Sequence, residues 1–78
     1  MALRFIGKDD QSPGGQSPTV WVDEESKTIV IQGWRLDDPA KAEVHRTAPV
    51  PPHETVLRVP ARMAKVLREA CNDVEPLE

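Results

Sequence analysis

Two runs of alternating apolar residues flank a short polar insert in Thr19-Val20-Trp21-Val22-Asp23-Glu24-Glu25-Ser26-Lys27-Thr28-Ile29-Val30-Ile31-Gln32-Gly33-Trp34. That pattern constrains the fold more than any other part of the chain. A period of two with β-branched residues describes a strand whose two faces meet different surroundings. Two such strands around Asp23–Thr28 describe a hairpin. With Glu24–Lys27 as a four-residue loop, Val22 opposes Ile29 and Val20 opposes Ile31. Those four share one face with Gly33, and Trp21, Val30, Gln32 and Trp34 share the other.

A second pattern says what covers the first face. After Pro60, Met63, Val66, Leu67, Ala70 and Val74 recur at helical spacing and form one apolar stripe. Arg62, Lys65, Arg68 and Glu69 occupy its solvated side. The stripe needs an apolar sheet surface, which Val20, Val22, Ile29, Ile31, Leu57 and Val59 supply. Leu3-Arg4-Phe5-Ile6-Gly7 reads as a further short strand, and Glu54–Val59 as another. Asp38 as N-cap with Pro39 at the first helical position starts a helix of about two turns. The predicted class is α+β: a small, mostly antiparallel sheet of three to four strands with a C-terminal helix packed on one face.

The 78 residues are expected to form a single domain. Its irregular parts are a flexible loop at 8–18, a proline-rich loop at 45–53 and a frayed C-terminus at 75–78. No apolar run is long enough to span a membrane, and a lone cysteine suits a reducing compartment, so the expectation is a cytoplasmic protein.

Both tryptophans, in a chain with one other aromatic, fall on the face the helix leaves bare. An indole buries about 150–250 Å², worth roughly 4–6 kcal/mol when covered. An exposed patch of Trp21, Val30 and Trp34, extended by Ile6, therefore reads as a contact surface for another protein or a second copy. The competing reading folds residues 35–53 back over it, with Leu36, Val44 and Val50 as the cover.

Charge argues against the commonest other use of a small domain. Ten basic and thirteen acidic residues give a net charge of −3, whereas phosphate binding favours a basic excess. The alternative function is nevertheless nucleic-acid binding through Arg58, Arg62, Lys65 and Arg68, although Glu69 interrupts them and pairs with Lys65 at i, i+4.

Catalysis and cofactors are not expected. Gly14-Gly15-Gln16 leads into a strand rather than a helix and lacks the lysine of a phosphate loop. His45 and His53 flank a proline segment without the clustered partners a metal needs. Cys71 lies near a helix C-terminus, where the dipole disfavours a thiolate, and reads as a small buried or half-buried side chain. The acidic pairs Asp9-Asp10, Asp23-Glu24 and Asp37-Asp38 suit turns and caps.

Five pieces together resemble small uncharacterised proteins of Streptomyces and related actinobacteria. They are Leu3-Arg4-Phe5-Ile6-Gly7, Pro18-Thr19-Val20-Trp21, Val30-Ile31-Gln32-Gly33-Trp34, Asp37-Asp38-Pro39 and Val59-Pro60-Ala61-Arg62-Met63. Such proteins are encoded near helix-turn-helix regulators, so the resemblance implies a regulatory or partner-binding companion. Its members often carry a cysteine where this chain has Ser17, and it carries over no functional residue.

Overall fold

A computed structural model describes residues 2–11 and 17–77. Strands β1 (Leu3–Lys8), β2 (Thr19–Asp23) and β3 (Thr28–Gln32) form an antiparallel sheet in the order β1-β2-β3. The β2–β3 register pairs Val20 with Ile31 and Val22 with Ile29, as the alternation predicts. The turn is set by Asp23, whose carboxylate accepts from the backbone N–H of Glu25 and Ser26 at 3.1 and 3.2 Å. Lys27 closes the loop at φ 60, the left-handed conformation such a turn requires.

Chain direction then changes at Gly33. A Cβ there would lie 2.7 Å from the carbonyl oxygen of Arg58 and 2.9 Å from Leu57 Cδ1, so only glycine lets the two segments approach this closely. Beyond it, β4 (Trp34–Arg35) pairs antiparallel with β5 (Leu57–Arg58) as a separate two-stranded sheet. The strand expected over Glu54–Val59 is thus shortened to two residues and does not extend the main sheet. Pro60 ends it.

Helix α1 (Asp38–Thr47) is capped by Asp37, whose side chain accepts from Ala40 N–H at 3.0 Å. The cap falls one residue earlier than expected, because Asp37 has the extended backbone a cap needs while Asp38 is already helical. The helix includes residues 45–47, expected in the proline-rich loop, and stops at Ala48, just before Pro49.

The second helix begins as a 3-10 turn, Ala61–Met63, continues as α2 (Ala64–Val74), and ends in another 3-10 turn, Glu75–Leu77. It packs on one face of the three-stranded sheet. Val20, Val22, Met63 and Ala70 are buried outright. Ile29, Val59, Val66, Leu67 and Val74 pack around them. Leu77 joins this shell, so the C-terminal turn is held against the core rather than frayed as expected. Gly7 lies directly beneath the helix: a Cβ there would stand 3.1 Å from both methyls of Val66.

Helix and sheet differ in width. An α-helix with side chains is about 10 Å across, whereas three strands span about 14 Å. The central strand β2 is accordingly sealed, with Val20 and Val22 at zero exposure, while Ile31 on the edge strand β3 retains 37%.

Between β1 and β2 lies the segment expected to be a flexible loop at 8–18. Its described ends are tied down. Asp9 N–H donates to Pro18 C=O at 2.9 Å, and Asp9, Ser17, Pro18 and Thr19 are all buried. Gly14-Gly15-Gln16 lies outside the described residues.

Candidate functional site: the uncovered sheet face

The face away from α2 follows from the register. Strand β1 pairs Leu3 with Asp23, Phe5 with Trp21 and Lys8 with Thr19. Directly paired residues point to the same side. The face away from α2 therefore carries three rows across the sheet, Leu3–Asp23–Thr28, Phe5–Trp21–Val30 and Lys8–Thr19–Gln32, the last overlaid by the Ser17 carbonyl, which accepts from Thr19 Oγ1 at 2.8 Å and leaves Thr19 buried.

Ile6 is not on it, contrary to expectation. The β1–β2 register slips between Phe5 and Gly7, so Ile6 is the extra residue of a β-bulge. It packs against the core cluster instead. Phe5 takes the place assigned to Ile6, opposite Trp21 and 58% exposed. Its signal was in the sequence: Leu3 and Phe5 share one side of β1, but only the bulge decides that this side is the open one while Gly7 still faces the helix.

Trp21 and Val30, opposite each other in the middle row, are half-buried, and Leu3 beside them is exposed. Gln32 is on the same face, where its side-chain amide donates to Ser17 C=O at 2.9 Å. Trp34 starts the second sheet beside Arg58 and is 42% exposed. Leu36, Val44 and Val50 meet Val56 around a separate cavity of about 210 Å³, without either tryptophan in its wall. Lys41, His45, Glu54 and Thr55 complete that lining. At this size the cavity falls below ordinary small-molecule sites of about 300–1,000 Å³.

The basic residues of the α2 region are not equivalent. Arg62 donates two bonds to the Asp9 carboxylate, Nε to Oδ1 at 2.7 Å and Nη2 to Oδ2 at 2.6 Å. The Asp9 side chain is 1% exposed and that of Arg62 is 45% exposed. This fork holds the guanidinium in its charged form and ties the β1–β2 loop to the start of the C-terminal helix. Arg62 thus has a structural partner, and Arg58, Lys65 and Arg68 remain exposed beside it. Arg4 bridges Glu24 at 3.0 Å and Asp73 of α2 at 3.5 Å.

The other candidates sit apart from these. Cys71 is exposed, not buried as expected, since it lies beside the α2 stripe rather than within it. His53 stands 3.7 Å from Glu54 on the surface. Among the described residues no group of three or more His, Cys, Asp or Glu is placed to hold a metal ion. Among them, too, no helix is long and apolar enough to cross a membrane. No family model matches the chain, and neither a curated protein nor a solved structure shows significant similarity to it.

Proposed function

We propose that this protein is a non-catalytic interaction module, a regulatory accessory that binds a protein partner or itself through the Leu3, Phe5, Trp21 and Val30 face. The supporting observation is the asymmetry of the sheet. One side is sealed by α2, and the other presents an aromatic pair, Phe5 beside Trp21, with no helix over it. An apolar patch bordered by Lys8, Asp23, Thr28 and Gln32 has the composition of an interface, an apolar centre within a polar rim. The resemblance to companions of helix-turn-helix regulators makes such regulators the first partners to try.

The ionisable groups support a binding role over a catalytic one. Asp9 is bonded to Arg62, Asp23 holds the hairpin turn and Asp37 caps α1. The test compares wild type with Phe5→Glu, which places a charge at the more exposed of the face's two exposed apolar residues, Leu3 and Phe5. Wild type should self-associate, or retain a protein from the source cells that the folded variant does not. If the two behave alike in both assays, the reading fails.

A further inference from the structure

We propose that the cavity between α1 and residues 50–56 binds a free amino acid with an apolar side chain. The site lies apart from the Leu3 and Phe5 face. It therefore goes beyond the interaction reading above, and either can fail without the other.

Volume sets the size of the occupant. The apolar lining is Leu36, Val44, Val50 and Val56. Val56 is 40% exposed, the other three are half-buried, and α1 buries no residue fully, so apolar surface remains here for a ligand to cover. An apolar cavity of about 150 Å³ takes one benzene ring. On that scale a cavity of about 210 Å³ takes a molecule of about eight or nine non-hydrogen atoms, the size of valine or leucine. A nucleotide is far too large for it.

Charge sets its chemistry. Lys41 and His45, one turn apart on α1, line the cavity from the helix, and Glu54 lines it from the segment that follows the prolines. Among the described residues, neither the Lys41 ammonium nor the His45 imidazole has an ion-pair or hydrogen-bond partner. The Glu54 carboxylate meets only His53, at 3.7 Å. Lys41 and Glu54 thus share one cavity without pairing with each other. An amino acid carries a carboxylate and an ammonium on one carbon and suits the space between them. Its carboxylate accepts from Lys41 Nζ and a His45 N–H, its ammonium donates to Glu54, and its side chain lies against the valines. A fatty acid would bring a second carboxylate toward Glu54, and a simple amine would leave Lys41 without an acceptor.

Exposure sets the strength. Lys41, His45 and Glu54 are all in contact with water, where each charged contact gains little. For so small a ligand a dissociation constant of about 0.1–10 mM follows. The effect on the protein is local. Residues 36–56 leave and rejoin the rest of the chain through β4 and β5, a ladder only two residues long. A molecule lodged between α1 and residues 50–56 therefore orders that excursion and leaves the core as it was.

The experiment titrates the isotope-labelled protein with L-leucine to about 20 mM and follows the backbone amide resonances. Shifts should saturate and concentrate in residues 36–56, while those of Val20 and Val22 stay in place. Isocaproate, which is leucine without its ammonium, and isoamylamine, which is leucine without its carboxylate, should each bind at least about tenfold more weakly. Glycine, with no side chain, should not saturate. Glu54→Gln should bring leucine and isocaproate within about twofold of each other, and Lys41→Gln should do the same for leucine and isoamylamine. Both positions are exposed, and the ligand series on the wild type decides the matter even where a variant fails to fold. Shifts that stay linear to the highest leucine concentration would overturn the proposal. So would isocaproate binding as tightly as leucine to the wild type, or leucine shifts centred on the Leu3 and Phe5 face.

Discussion

The two sides of the three-stranded sheet are made of similar material and meet different ends. On the covered side, Val20 and Val22 are sealed beneath Met63 and Ala70, and Gly7 is bare because Val66 fills the space a side chain would need. On the open side Phe5 and Trp21 are larger than anything in that core, yet Phe5 is more than half exposed. A large ring exposed on one side of a thin sheet, opposite small residues fully buried, shows that hydrophobicity alone does not decide burial. Which side a residue takes is decided by strand parity, and the helix reaches only one side. Folding draws on the first surface; the second is the one proposed for recognition.

That contrast is sharpest at the core. Met63→Ala should cost about 2–5 kcal/mol, enough to unfold much of so small a domain, read as a lowered midpoint in urea. Next comes the fork beneath the β1–β2 loop. Arg62→Met removes two charge-assisted bonds to a buried carboxylate and should cost about 1.5–3 kcal/mol, whereas Lys65→Met on the exposed side of α2 should change stability by less than about 0.5 kcal/mol. Equal costs would show that the fork contributes nothing beyond a surface pair. Phe5→Glu should leave the monomer's unfolding midpoint within about 0.5 kcal/mol of wild type; a loss as large as that of Met63→Ala would mean that the open face is core after all.

The smallest effect concerns pH. The Asp23 carboxyl has its pKa lowered, first by the Ser26 backbone N–H and despite the opposing effect of desolvation. A carboxylate whose folded pKa is depressed adds stability above its unfolded pKa, and that stability is lost as pH falls through the folded value. Asp23→Asn keeps a side-chain acceptor for the turn but cannot titrate. Wild type should therefore melt slightly higher than the variant near neutrality, with the difference closing below about pH 4. A difference that persists at pH 2 would show that charge at Asp23 is not its source.

Legibility in the sequence followed the range of the interactions. The hairpin register and the α2 stripe were readable because a period of two and a period of 3.6 are written into consecutive residues. Most of the open face was readable for the same reason, since Trp21 and Val30 alternate with the core valines. Other features were not. The bulge that exchanges Ile6 for Phe5 depends on how Gly7 meets Val66, a contact far apart in the chain. Arg62 looked like a solvated helix residue, but its partner Asp9 lies 53 positions away in a segment that reads as loop. The strand after Glu54 looked longer than it is because Val56, Leu57 and Val59 are good strand formers, yet a two-residue partner at Trp34–Arg35 is all that it meets.

The extra residue in β1 works as a phase slip. Upstream of it, Leu3 and Phe5 keep time with Trp21; downstream, Gly7 keeps time with Val20, and neither half can reset the other. Leu3 and Phe5 thereby face outward without drawing Gly7 away from its seat beneath Val66. Deleting Ile6 would restore one-to-one pairing along the strand, leaving Leu3 and Phe5 outward and Gly7 beneath the helix, and would remove only the side chain that the bulge sends against the core.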